Sequence, residues 1–469
     1  MAKIRIKLVC AVTVMLCASV TANGDEVDRY IGAQMRDLHI PGISLAVVRG
    51  GQIVKTKGYG LANIEANFAA TPKTVYEIGS LTKQFTALAV MMLVEENKVG
   101  LDDKITKYFP DAPPAWNGIT IRHLLSHTSG IRNHVAVPGY LNRFKTDLSF
   151  VTSPTRSEII KEFFKLPMEF QPGETWAYDN TGYYLLGFVI EKASGKSYYQ
   201  FLDERIFKLL GMNSTRNTDQ RPVVPKRASG YEWVSDKYEN RPALLPDIAF
   251  SAGTLISTVE DVAKWDAALY TERLLKRSSL EKMFTPSKTN DGALASMNYG
   301  FGWFVDSYHG RRLVQHSGGT PGFSSVIYRF TDDKFTVIIL SNHSDRFLDQ
   351  LALGVAGLYI PSLKRPEGKK DPDPQLSAKL KEIMSGLING RNAPESFTPP
   401  MRAYSETSTG KGFWQWVAYH GAMTTFEFSD REDTGDGRIV RYRILLGGNP
   451  YWFSFRMTGD GKIAQIYWW

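Results

Sequence analysis

The sequence predicts a mixed α/β (α+β) fold followed by a small α+β unit, on three observations. Two apolar segments split by Gly50-Gly51 read as a β-hairpin. An apolar stripe at helical spacing marks one long helix from about residue 80 to 97, and short strand-like runs cluster between 300 and 340 and again near the C-terminal end. In chain order, Val27, Tyr30, Ile31 and Met35 recur at helical spacing over 25–38, and Pro41-Gly42 stops that helix. Residues 43–48 and 53–59 are the two arms of the hairpin. Phe85, Leu88, Met92 and Leu93 form the stripe of the long helix, with Gly100 past its end. From about 101 to 245 the chain reads mostly as short helices and loops. A helix near 258–270 then leads to strands at 300–305, 312–316, 323–330 and 335–340. Residues 364–374, KRPEGKKDPDP, are charged, Pro-rich and nearly free of apolar side chains, which reads as a linker. Beyond it an amphipathic helix (about 375–389) precedes alternating strands with turns at Gly435-Asp436-Gly437 and Gly459-Asp460-Gly461. Trp452, Phe453, Phe455, Tyr467, Trp468 and Trp469 give these strands material for a small core of their own.

Composition bounds the function. With 469 residues, 43% hydrophobic and 22% charged, the chain has the balance of a packed globular protein and is long enough for two to four domains at roughly 100–200 residues each. Gly and Pro carry no fixed period, so collagen-like and repeat readings fail. Both cysteines, Cys10 and Cys17, lie in a stretch that reads as a secretory signal over 1–22. Lys3, Arg5 and Lys7 precede an apolar run (8–20), and Val20-Thr21-Ala22 offers a small-residue cleavage site. The mature chain would then hold no cysteine, which excludes thiol hydrolysis, Cys-based zinc sites and iron–sulfur chemistry. Neither cysteine follows a small residue as a lipoprotein signal requires, and the apolar run falls short of the roughly 20 residues of a membrane span. An exported, soluble protein without a stable membrane anchor is expected. Removing the three basic leader residues takes the formal net charge from +8 to +5, too modest to imply a nucleic-acid partner.

Three short patterns carry chemistry. Ser80 and Lys83 stand three apart at a helix start, so their side chains share one face within hydrogen-bonding reach. A serine hydroxyl becomes a nucleophile when a neighbouring base takes its proton, and a buried lysine of depressed pKa can be that base. Backbone N–H groups at the helix start can stabilise negative charge on an acyl oxygen. The same spacing recurs at Ser279/Lys282 and Ser408/Lys411, so the pattern alone singles out nothing. Tyr178 and Asn180, in PGETWAYDNTGY, sit just ahead of an apolar helix containing Leu185, Leu186, Val189 and Ile190. A tyrosine can shuttle a proton and an asparagine can hold a substrate amide. Tyr238-Glu239-Asn240 repeats the short pattern without that context, and a packing aromatic is the plain alternative. His316-Ser317-Gly318-Gly319 follows a strand, where glycine lets a substrate backbone lie against the sheet edge, or where a capping histidine simply opens a Gly-Pro turn.

Ser-x-x-Lys, Tyr-x-Asn and His-x-Gly in this order resemble the serine β-lactamase-like superfamily, which includes class C β-lactamases, D-Ala-D-Ala carboxypeptidases, D-aminopeptidases and β-lactamase-type esterases. The resemblance runs from about residue 25 to 360, through HLLSHTSG (123–130) and SAGTLIST (251–258). It implies an antiparallel sheet flanked by helices, with a mainly helical region inserted between about 105 and 245, and hence a hydrolase domain over 23–363, a linker over 364–374 and a small α+β unit over 375–469. It also implies Ser80 as the acylated nucleophile, Lys83 and Tyr178 as the proton-transfer pair, and Asn180, His316, Gly318 and Gly319 as substrate-binding residues. The oxyanion hole would be the N–H groups of Ser80 and Gly319. Water would release the acyl group with neither metal nor cofactor.

Two positions depart from the family. His316 stands where many β-lactamases carry Lys, which disfavours efficient antibiotic hydrolysis. Asp179 stands where Ser or Ala is common, and its carboxylate could raise the Tyr178 pKa unless it points away from the cleft. His123 and His127, at i, i+4, read as packing residues rather than metal ligands, because no Glu follows His123 in the zinc-protease pattern and no third ligand is evident. The reading is an exported serine hydrolase acting on small-molecule or short peptide substrates, with D-amino-acid cell-wall peptides first. An esterase or weak β-lactamase is the alternative, and from another class a binding homologue without turnover.

Overall fold

The computed structural model describes residues 18–137, 155–219, 221–241, 246–344, 348–365 and 369–468. Residues 1–17, with both cysteines, lie outside the described residues, as does Trp469. Helix α1 (Ala18–Asp37) leads into β1 (Gly42–Arg49), β2 (Gln52–Asn63) and the short β3 (Phe68–Ala69). Helices α2 (Thr82–Glu95), α3 (Asn180–Ser194) and α4 (Val259–Ala268) are followed by a meander of β4 (Phe304–Tyr308), β5 (Arg311–Thr320), β6 (Phe323–Phe330) and β7 (Phe335–Ser341), and then by α5 (Leu348–Tyr359). The seven strands form one antiparallel sheet in the order β3-β2-β1-β7-β6-β5-β4, as the resemblance implies.

The N-terminal hairpin docks on the last strand of the meander, with Ile43 opposite Ser341 and Arg49 opposite Phe335. Strand β1 is buried on both faces, which is why it reads as a continuous apolar run. Ile43, Leu45 and Val47 pack with Val27 and Ile31 of α1 and Leu351 and Val355 of α5. Ala46 and Val48 face the other way, into the core that holds Phe85 and Leu88 of α2 and Leu185 of α3. Helix α2 exceeds its predicted single stripe: every residue from Thr82 to Leu93 is buried, because the helix runs between the sheet and the inserted region.

One prediction needs correcting: the strand expected at 300–305 starts at Phe304, because Gly302 takes a φ of +80° and turns the chain first. The inserted region is mainly helical, and within it Gly230–Val234 and Lys237–Arg241 form a hairpin. Its turn residues Ser235 and Asp236 both adopt positive φ (49° and 61°), as a two-residue hairpin turn demands, but without the glycine that would have announced it.

Past the predicted linker, α6 (Pro374–Ile388), α7 (Pro399–Glu406) and α8 (Ser408–Tyr419) pack on a four-stranded antiparallel meander of β8 (Met423–Thr434), β9 (Gly437–Leu446), β10 (Asn449–Thr458) and β11 (Ile463–Trp468). Phe453 and Phe455 are fully buried in its core. This unit covers the β4 edge of the large sheet, an edge that would otherwise be open to strand addition. Buried Arg441 binds Asp430 (2.7 Å) and Glu432 (2.9 Å) within the unit and donates to the Ser307 carbonyl on β4 (3.3 Å), while the Gln465 amide donates to Asn298 Oδ1 (2.8 Å). No helix among the described residues is long and apolar enough to cross a membrane.

Candidate active site

Ser80 lies in a single 3₁₀ turn, Gly79–Leu81, that runs straight into α2. The turn is fixed from three sides. The Ile78 N–H donates to the Leu255 carbonyl (3.0 Å), the Ser325 hydroxyl donates to the Ile78 carbonyl (2.8 Å), and the Leu255 N–H donates to Thr82 Oγ1 (3.1 Å). Lys83, one turn on, is completely buried. Its Nζ donates to Ser80 Oγ (3.1 Å), Asn180 Oδ1 (2.8 Å) and the Ala252 carbonyl (2.7 Å). Burial lowers its pKa to about 7, against an opposing pull from the Asp179 carboxylate. The Tyr178 ring centroid lies 4.8 Å from Lys83 Nζ, and Ser80 is close enough to the phenol to act on its pKa. Burial raises the Tyr178 pKa, Asp179 adds to the rise, and Ser80 works against it. Hydroxyl and amine, three residues apart, therefore meet a phenol nearly a hundred residues further along the sequence.

Asp179 does point away from them. It is the N-cap of α3, its two oxygens accepting the Thr181 (2.7 Å) and Gly182 (2.9 Å) N–H groups. Burial still pushes its carboxyl up to about 7 despite these donors. Asp179→Ala should therefore cost about 1–2 kcal/mol of stability in urea unfolding, with Asp179→Asn nearer wild type, because a cap oxygen remains.

Strand β5 closes the site. A side chain at Gly318 would meet the Ile78 carbonyl oxygen at 2.1 Å and the Ser80 nitrogen at 3.0 Å, and one at Gly79, whose φ is +50°, would meet the Gly319 nitrogen at 2.7 Å. Only glycines let the strand and the serine turn touch, and the Ser80 and Gly319 nitrogens both lie at this contact. His316 faces inward. It is buried, its Nε2 pairs with the Tyr299 hydroxyl (3.0 Å) and its Nδ1 with the Ser317 carbonyl (2.6 Å). Because a carbonyl only accepts, Nδ1 carries the proton and Nε2 accepts from Tyr299. Burial, with Lys83 nearby, takes the imidazole pKa down to about 3, so it is neutral.

The sequence profile of the Beta-lactamase family matches residues 27–356. The chain belongs to this family. It is 32% identical over 386 residues to Penicillin-binding protein 4* of Bacillus subtilis (strain 168), an alignment covering 77% of this chain and 83% of the relative. Among solved structures it is similar to the octameric penicillin-binding protein homologue from Pyrococcus abyssi (TM-score 0.62, 25% identity, 93% of this chain and 97% of that one). It is also similar to the D-amino acid amidase from Ochrobactrum anthropi SV3 (TM-score 0.60, 26% identity, 73% of this chain and 97% of that one). The chain is thus a hydrolase-family member, and the family match stops short of the C-terminal unit.

Against this family framework the other sequence patterns fall into place. Ser279 and Lys282 sit on the short helix Arg277–Met283, Lys411 pairs with Glu406 (3.1 Å), and Tyr238 lies on the exposed hairpin of the inserted region. His123 and His127 do not share a helical face, because the helix Ile121–Leu125 ends between them. His123 Nδ1 accepts the Thr120 N–H (3.2 Å) in a capping box, whereas His127, at φ +59°, accepts the Asp179 N–H on Nδ1 (3.1 Å) and packs its ring 4.5 Å from that of Tyr178. Each ring is thus engaged with nearby backbone, His123 in a capping box and His127 against the Tyr178 segment. Sequence reasoning missed Asn133, whose Oδ1 accepts from the Asn180 amide and backbone (both 3.3 Å), and Tyr299, which holds His316. Within SAGTLIST, the Ala252 carbonyl anchors Lys83. A carbonyl has no residue signature, so nothing in the sequence could have flagged it.

Proposed function

We propose that this chain is an exported serine hydrolase that acts through an acyl-Ser80 intermediate on amide or ester substrates, with D-amino-acid peptides and amides as its substrate class. One observation carries the reading: Ser80 Oγ accepts a hydrogen bond from a fully buried Lys83 whose pKa lies near 7. At pH 7 an ordinary lysine is neutral in about one molecule in 3,000, whereas this one is neutral in roughly half. Neutral Lys83 takes the Ser80 proton as Oγ bonds to the carbonyl carbon, and the carbonyl oxygen gathers the negative charge beside the Ser80 and Gly319 N–H groups. Collapse breaks the bond to the leaving amine or alcohol, which receives a proton through the Tyr178 hydroxyl. Water then attacks the acyl carbon as one of its protons passes by way of the Tyr178 hydroxyl to neutral Lys83, and that proton is returned to Ser80 Oγ as the ester bond breaks, which restores the serine. Asn180, held by Lys83 and Asn133, supports the substrate amide. No step draws on a metal or a cofactor.

The substrate class rests on the penicillin-binding and D-amino acid amidase relatives and on His316. A neutral imidazole with both nitrogens engaged inside the protein presents no charge to a substrate carboxylate. That favours substrates whose leaving group is uncharged, such as D-amino-acid amides, over free C-terminal D-Ala-D-Ala and over penicillins, and it keeps an esterase as the second reading. Export is supported by the basic, then apolar, N-terminal run. Purified protein should turn over a D-alanyl anilide at least about tenfold more efficiently than a chromogenic cephalosporin, a gap of about 1.4 kcal/mol in transition-state binding. Turnover of p-nitrophenyl butyrate alone would establish the esterase, and no turnover of any of the three with no fluorophosphonate adduct on Ser80 would leave a binding homologue.

A further inference from the structure

Tyr178 sits in a stretch, residues 175–179, with no regular backbone structure of its own, so its position depends on what grips that stretch. One side is held by the inserted region, where the Ala177 N–H donates to the His127 carbonyl (3.0 Å) and the Asp179 N–H to His127 Nδ1 (3.1 Å). The other side is held by the C-terminal unit. The Thr409 hydroxyl, in the first turn of α8, donates to the backbone carbonyl of Tyr178 itself (3.2 Å). Three residues upstream, the buried Thr175 hydroxyl donates to the Pro400 carbonyl of α7 (2.9 Å), and the Trp176 ring lies 5.9 Å from that of Tyr404. The Ser408 N–H adds a bond to Glu169 Oε2 (3.0 Å), just ahead of the same segment. These contacts span more than 220 residues of sequence and converge on the few residues around the phenol.

We infer that Thr409 is a positioning residue for Tyr178, and that the α7–α8 pair serves the hydrolytic site by fixing the segment that carries the phenol. The inference rests on the proposed role of Tyr178 in proton transfer. A phenol that drifts by a fraction of an ångström still lets substrate bind beside Ser80, but it hands over its proton poorly, so the loss falls on kcat rather than KM. It also gives the C-terminal unit, which the family match leaves uncovered, a task in the reaction.

The test uses the full chain with whichever substrate it turns over. Thr409→Val keeps the shape and removes the donor, and it should lower kcat about tenfold while KM stays within about twofold, a misplacement effect rather than a binding one. Thr409→Ser should recover at least half of wild-type kcat, because the hydroxyl returns. In a Tyr178→Phe background Thr409→Val should cost less than about twofold more, since the two changes act on one group. Thr175→Val, which removes the second grip, should give the same split and serves if Thr409→Val does not fold. Unchanged kcat in both variants overturns the inference, as does an equal loss in Thr409→Ser or an undiminished loss in the Tyr178→Phe background. Failure of the functional reading is separate: it would show as turnover surviving Ser80→Ala, whatever Thr409 does.

Discussion

Ser80→Ala should abolish turnover, with kcat falling by about 10⁴-fold or more, while the thermal midpoint shifts little. The size of the loss follows from where the serine sits. Its hydroxyl is bonded to Lys83, whose Nζ also lies over the Tyr178 ring, and it is the group proposed to carry the acyl ester. The fold should not notice, because the 3₁₀ turn is fixed through Ile78, Thr82, Leu255 and Ser325 rather than through the Ser80 side chain. The check is steady-state kinetics alongside intact-protein mass spectrometry after exposure to a fluorophosphonate. Wild type gains one adduct on the Ser80 peptide and the variant gains none. Residual turnover within about a hundredfold of wild type would remove Ser80 from the reaction, since general acid–base help alone supplies effects of that order.

The second large effect concerns Lys83. Lys83→Met should lower kcat/KM by about 10³- to 10⁴-fold, the usual worth of a positioned general base together with its place in a coupled pair. Stability should move the other way or not at all. In the wild type the folded-state pKa is about 7 against 10.5 for the free side chain, so between those values the unfolded chain binds more protons and stability rises with pH. At pH 7 the fold therefore bears most of the burden of neutralising a buried amine, and methionine removes it, offset by three lost hydrogen bonds. The thermal midpoint at pH 7 should be equal to or above that of wild type. For the wild-type enzyme kcat/KM should climb with pH through about 7 as Lys83 loses its proton. An acidic limb more than two units from there, or a Lys83→Met protein that unfolds readily, would contradict this account.

Much of the site was legible in the sequence because its chemistry needs particular side chains at fixed short spacings. Ser80 and Lys83 fall one helical turn apart, and Tyr178 and Asn180 fall on either side of a helix cap. What sequence could not supply were contacts made by main-chain atoms or between distant segments: the Ala252 carbonyl on Lys83, Asn133 on Asn180, Thr409 on the Tyr178 carbonyl. Asp179, read as a possible disturbance to the tyrosine, is mainly an N-cap, a role its position just before the apolar helix allowed but did not demand. His316, read as a substrate ligand, has both nitrogens bound inside the protein, because Tyr299 reaches it from 17 residues upstream. In the fold, the sheet was legible from its buried, β-branched strands. The 235–236 turn was not, because Ser and Asp adopt by context a backbone that glycine adopts by preference.

The seam along β4 has one last consequence. Arg441 lies almost wholly out of water, with Asp430 and Glu432 on one side and a carbonyl of the larger sheet on the other, and Glu432 also meets the Ser307 hydroxyl across the boundary. Prising the two sheets apart would leave a guanidinium and its carboxylates with part of their coordination gone before water could replace it. The two sheets should therefore unfold in one transition, and a mutation that loosens the smaller unit should lower the stability of the larger.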